Sequence, residues 1–225
     1  RWLNGGEPMA SKTFEAAYSE RFEGEYNIFL PDGHMGEKQV YPLLVYLHGY
    51  TSEYIPPAIM EDKIPDGLVE MCREFDFILA CPLCPFGFYW RTTQVVSFID
   101  HVTETYSVDK KKVCLSGTSM GGFGTWATAH EFPDKFAGIA PVAGGVYEIS
   151  QYQAHRLKTL PVWAFHNRGD EIIRCSDAEI MIDSIKNEGG NARLTIYEVT
   201  GHDADKAYRN RELYEWFSSL ENKME

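Results

Sequence analysis

The stretch KVCLSGTSMGGFGTWA at 112–127 constrains the fold more than any other part of the chain. It opens as a short apolar run of the kind that forms a buried strand. It passes through Gly117-Thr118-Ser119-Met120-Gly121, and the residues beyond are small and spaced as one face of a helix. A G-x-S-x-G sequence between a strand and a helix places its serine at the tip of a tight, strained turn, with the hydroxyl held above the sheet. The geometry demands Gly117 and Gly121, because a Cβ at either position would strike the neighbouring strand or helix. Gly122 and Gly124 let the following helix pack close to the sheet. The start of that helix offers unpaired N–H groups and a partial positive charge to any negative charge developing nearby. Ser119 is therefore the candidate nucleophile. The alternative, a glycine-rich turn carrying an ordinary serine, leaves the strand–turn–helix setting unexplained.

The same alternation of strand and helix runs on from about residue 40. Continuous apolar runs at 41–49, 76–82, 112–117, 136–144, 161–166 and 193–199 read as buried parallel strands. Between them, Val95, Phe98, Ile99, Val102 and Tyr106 recur at helical spacing, as do Ile180, Met181 and Ile185, and Leu213, Trp216, Phe217 and Leu220. A short helix is expected over 66–75, and residues 21–30 read as an antiparallel strand entering the sheet. Right-handed β–α–β crossovers then give an α/β fold with a mostly parallel central sheet and helices on both faces. Ligands in such folds sit beyond the carboxyl ends of the strands, so the loops there are the place to look for chemistry. The 225 residues suit a single domain spanning 1–225, with 1–20 as an N-terminal extension in which MASK at 9–12 would suit a native start.

Charge and cysteine content exclude several classes of function. A formal net charge of −12 repels a polyanion, so nucleic acid is not an expected partner. No apolar stretch approaches the roughly 20 residues needed to span a bilayer, and no signal-peptide core is visible, so a cytoplasmic or a secreted location fits and a membrane does not. Five cysteines leave at least one thiol outside any intramolecular disulfide. Cys81 and Cys84 form a single C-x-x-C with Pro82 and Pro85. Without a second ligand pair this reads as structural cysteines in a loop leaving a strand, and no metal site is expected.

A serine hydroxyl needs a base beside it. His202, in EVTGHDAD after the last strand, is the histidine downstream of the penultimate strand, and Gly201 lets its loop turn back over the strand ends. It would take the Ser119 proton and later pass it to the leaving group, so turnover should fall as it protonates at acid pH. The acid is expected after the penultimate strand, where PVWAFHNRGDEII offers Asp170; Glu171, Asp177 and Asp203 compete. Asp203 is adjacent to His202, which makes a good bond to the ring awkward, and Asp177 is placed to cap the helix starting near Ser176. Two backbone donors are needed for an oxyanion: Met120, directly after the nucleophile, and Tyr50, in the loop after YLHG. His48 is expected to brace that loop, and His166 ends a strand.

These stretches carry a resemblance. YPLLVYLHGY, CPLCP followed by Trp90, LSGTSMGGFGTW, PVWAFHNRGDEII and GHDADKAYRNRELYEWF resemble the α/β-hydrolase superfamily, in particular compact esterases and peptidases of the prolyl-oligopeptidase-like type. The chain is also similar to feruloyl and acetyl xylan esterases. The matching stretches run from about residue 40 to 218. The resemblance implies a Ser119–Asp170–His202 triad and no cofactor. Two departures stand out: the loop after His48-Gly49 reads YTSEYIPP rather than a glycine-rich run, and HNRGD has Asn167 where a glycine commonly follows the histidine. The chain has no room for a large cap domain, so aromatic residues in loops, Tyr50, Tyr54, Trp90 and Tyr147, are expected to line an open site. The expected substrate is a small-molecule or saccharide ester. A serine peptidase or acyl-aminoacyl hydrolase is the second reading, and a binding module without chemistry the third.

Overall fold

The computed structural model describes residues 10–15, 23–31, 39–51 and 63–222. Among the described residues, eight strands form one sheet in the order β1-β2-β4-β3-β5-β6-β7-β8. Two antiparallel strands, β1 (Ala10–Glu15) and β2 (Glu23–Phe29), stand at one edge. The remaining six are parallel: β3 (Tyr41–Leu47), β4 (Ile78–Pro82), β5 (Val108–Thr118), β6 (Gly138–Val142), β7 (Val162–Gly169) and β8 (Ala192–Thr200). The connecting helices are α1 (Leu68–Glu74), α2 (Thr92–Thr105), α3 (Met120–Glu131), α4 (Glu148–Tyr152), α5 (Cys175–Asn187) and α6 (Arg211–Ser218).

The strands read as unbroken apolar runs because the sheet is covered on both faces, and the two-residue period of a strand sends alternate side chains into two cores. Leu43, Val45, Leu47, Val113 and Leu115 point to the layer built by α2, α3 and α5, where they meet Phe98, Val102, Trp126 and Ile182. Leu44, Tyr46, Cys114, Trp163 and Phe165 point the other way, to α1 and α6, where Leu68, Leu213, Tyr214 and Phe217 close the second core. Burying a side chain of this size contributes about 1.5–3 kcal/mol. This is the α/β fold with a mostly parallel sheet and helices on both faces that the sequence pattern implies.

Two details differ from the sequence reading. Residues 10–15, within the segment read as an extension, form edge strand β1, paired to β2 from Ala10↔Ile28 to Glu15↔Glu23. Asp177 does not cap its helix. Arg174 occupies the cap position with no side-chain bond, and the Asp177 carboxylate lies 3.3 Å from the Arg174 guanidinium in the first turn, where a negative charge suits the helix dipole. All five cysteines are free and buried. Burial pushes the Cys84 thiol up to about 12, which keeps it protonated and unreactive. Among the described residues, no helix is long and apolar enough to cross a membrane, and no group of three or more His, Cys, Asp or Glu gathers as for a metal.

Candidate active site

Ser119 sits between β5 and α3 with φ 57° and ψ −116°, a backbone conformation a non-glycine residue adopts only under constraint. The constraint comes from both sides. The Ser119 N–H donates to the Val142 carbonyl at 3.0 Å, and the Ser119 carbonyl accepts from the Phe123 N–H at 3.0 Å as α3 begins. The flanking glycines make the close approach possible. A Cβ at Gly121 would overlap the Leu47 carbonyl of β3, and one at Gly117 would meet the Gly121 carbonyl at 2.5 Å.

The three side chains drawn from distant loops meet here. Ser119 Oγ lies 2.7 Å from His202 Nε2, and His202 Nδ1 lies 2.8 Å from Asp170 Oδ2. Asp170 is fixed by its own loop: its Oδ1 accepts the backbone N–H groups of Ile172 and Ile173, each at 2.9 Å. Burial pushes this carboxyl up, but those two N–H donors and the His202 ring outweigh it and hold the group below its ordinary value. An ionised Asp170 requires the proton of His202 on Nδ1, which leaves Nε2 as the acceptor facing Ser119 Oγ.

His166 also reaches the acid. Its Nε2 donates to the Ile173 carbonyl at 2.9 Å and lies 3.2 Å from Asp170 Oδ2, with the ring buried. In sequence it is only the last apolar-strand residue before a loop. A second group that pattern could not reveal is Asp205, whose Oδ1 accepts the Thr118 hydroxyl at 2.6 Å, directly beside Ser119. Burial raises the Asp205 carboxyl, partly offset by that bond. Behind it the Tyr208 and Ser116 hydroxyls pair at 2.8 Å in the core.

A cavity of about 560 Å³ opens over Ser119 and Met120. It gathers Tyr50, Trp90 and Tyr147, named from sequence, with Phe123, Ile172 and Ile173. Tyr54 lies outside the described residues. Met120 opens α3 immediately after the serine, and the Gly49 backbone stands beside it: a Cβ there would be 3.5 Å from Ser119 Cβ. Tyr50 also borders a second, polar hollow of about 470 Å³ lined by Asp203, Asp205, Lys206 and Arg209.

The loop carrying Tyr50 is braced by His48. Its Nδ1–H donates to the Gly49 carbonyl at 2.7 Å, its Nε2 accepts the Cys84 N–H at 3.0 Å, and its own carbonyl accepts the Trp90 indole N–H at 3.0 Å. Burial pushes the His48 imidazole below its ordinary value, against the opposing pull of the Gly49 carbonyl. The folded protein thus binds this proton less readily than the unfolded chain. The brace contributes fully above about pH 6.5, the unfolded value, and is lost below it with a slope of at most about 1.4 kcal/mol per pH unit. Urea midpoints measured from pH 8 to pH 5 should fall less steeply in His48→Gln than in the parent. Parallel curves would remove His48 as the cause.

The sheet order and the elbow are those of the α/β-hydrolase fold, and the converging side chains are arranged as a serine hydrolase requires. The comparisons narrow this. A sequence model of the prolyl oligopeptidase family matches residues 89–159. A bifunctional acetylxylan esterase/xylanase of Neocallimastix patriciarum is 29% identical over 133 residues, covering 56% of this chain and 18% of that protein. Among solved structures, a thermostable esterase superposes with a TM-score of 0.77 at 24% identity, over 95% of this chain and 63% of the esterase. An acylaminoacyl peptidase of Pyrococcus horikoshii superposes with a TM-score of 0.72 at 13% identity, over 97% of this chain and 43% of the peptidase. The chain thus spans a small part of the curated relative and less than two thirds of these two structures.

Proposed function

We propose that this protein is a serine carboxylesterase acting on short-chain or carbohydrate-linked acyl esters through Ser119, His202 and Asp170. The observation that carries the reading is the unbroken relay of 2.7 and 2.8 Å at the floor of the aromatic cavity. Ser119 Oγ attacks the ester carbonyl carbon while His202 Nε2 takes its proton, and the ionised Asp170 stabilises the imidazolium. The carbonyl oxygen, now negative, turns toward the N–H groups of Met120 and Tyr50, each such donor being worth about 3 kcal/mol in the transition state. His202 then protonates the departing alkoxide oxygen, the alcohol leaves, and an acyl group remains on Ser119. Water attacks that acyl-enzyme by the same route, its proton passing to His202, and the acid departs as Oγ recovers its proton.

The two hollows support the substrate class. The cavity over Ser119 has aliphatic and aromatic walls that suit a short or aryl acyl group. The polar hollow on the far side of Tyr50 suits a hydroxyl-rich alcohol. A peptidase reading is favoured by the prolyl oligopeptidase match and by the likeness to an acylaminoacyl peptidase. A panel of p-nitrophenyl acetate and butyrate, acetylated xylan, feruloylated sugars and peptide amides separates them. Turnover of the esters with silent amides is expected. Amide cleavage faster than ester cleavage, or no turnover of any ester, overturns the proposal.

A further inference from the structure

We infer that Asn167 is a positioning residue that sets the His202 imidazole between Ser119 and Asp170. The inference rests on the triad reading given above. Asn167 lies at the end of β7, where the pairing with β8 shifts register: Asn167 faces Tyr197, but Gly169 faces Thr200. β8 therefore carries one residue more than β7 across this step, and a bulge of this kind re-aims the side chains around it. Asn167 is driven inward, with 1% of its surface exposed. There its Nδ2 donates to the Gly201 carbonyl at 2.9 Å and to the Asp203 carbonyl at 2.7 Å. These are the carbonyls immediately before and after His202.

An amide nitrogen carries two hydrogens, so one side chain holds both flanks of the histidine at once. The orientation is set by chemistry: with the amide flipped, its oxygen would face two carbonyl oxygens. The amide oxygen finds no partner in its buried position, a cost that the two donated bonds must outweigh. The far end of the same loop is tied by a different route. The Asp205 N–H donates to Asp203 Oδ1, and Asp205 accepts from Thr118, the residue before the nucleophile. The loop bearing the base is thus anchored to the strand that leads to the acid and to the turn that bears the serine. Gly201, at φ +88°, supplies the bend between β8 and this anchored segment.

The test compares Asn167→Ala and Asn167→Asp with the parent, each at a temperature where circular dichroism shows it folded. The Asp variant keeps the volume and, when ionised, cannot donate; it carries the test if the Ala variant does not fold. Displacing the base by a fraction of an ångström should lower kcat for p-nitrophenyl butyrate about 10- to 100-fold, with KM within about twofold. The rate of labelling by a fluorophosphonate should fall in step. The far-downfield proton resonance of the His202 Nδ1–H bound to Asp170 should broaden or move. Folded variants that turn over and label within twofold of the parent, with that resonance unchanged, overturn the inference. Ser119→Ala is run alongside: if it stays active, the triad reading itself fails, whereas active Asn167 variants beside an inert Ser119→Ala overturn the positioning role alone.

Discussion

Ser119→Ala is expected to lower ester turnover by on the order of 10⁶-fold while leaving the fold in place. The loss is large because the hydroxyl is the atom that forms the bond. Without it, His202 Nε2 at 2.7 Å has no proton to take and Asp170 nothing to stabilise. The residual rate would come from backbone donors and the cavity acting on water, an activity that survives the loss of triad members in such sites. Alanine meets the same φ of 57° that serine already tolerates, and the hydrogen bonds that hold the turn belong to the backbone. One side-chain hydrogen bond disappears, a change of about 1 kcal/mol. Thermal unfolding should shift by a few degrees, and fluorophosphonate labelling should vanish. Turnover within tenfold of the parent in a folded variant would contradict the assignment of the nucleophile.

Asp170→Asn should cost about 10⁴-fold in kcat, through the tautomer of His202 and not through geometry. The two backbone N–H groups of Ile172 and Ile173 hold the Oδ1 position, so the amide oxygen must stay there. The amide nitrogen then takes the place of Oδ2 and faces His202 Nδ1 as a donor. The ring answers by accepting on Nδ1 and carrying its proton on Nε2, where it confronts the Ser119 hydroxyl with N–H and can no longer act as a base. Kinetics on p-nitrophenyl butyrate, together with the disappearance of the downfield imidazole proton, check this. A drop of less than tenfold would shift the acid's role to another carboxylate, for which Asp205, tied to Thr118, is the first to examine.

Much of this arrangement can be read along the chain, for a physical reason. Buried parallel strands must be apolar on both faces, so β3 to β7 announce themselves as continuous runs. The turn at Ser119 can be built only with glycine at 117 and 121, which leaves a sequence signature. The strand-end rule then points to Asp170 and His202, and the structure brings both to the serine. Other features leave no such trace. Strand β1 has the sequence ASKTFE, whose mixed character carries no periodic signal, and an edge strand is specified mainly by backbone pairing. Asn167 reads as a loop-forming residue, because its meaning depends on two carbonyls that lie 34 and 36 positions away. His166 is in the same position: it reads as a strand end until the Asp170 loop folds back over it.

The near-contact of Gly121 with the Leu47 carbonyl ties α3 to β3, backbone against backbone, just below the serine. The turn bearing Ser119 and the loop after β3 therefore ride on one stiff backbone foundation, which depends on the bare Cα of Gly121. The walls above it are otherwise made: Tyr50 and Tyr147 are exposed, and each can be exchanged without disturbing that foundation. On the proposed function, exchanges at Tyr50 and Tyr147 would then alter which substrates enter while the Ser119–His202–Asp170 geometry stays as it is.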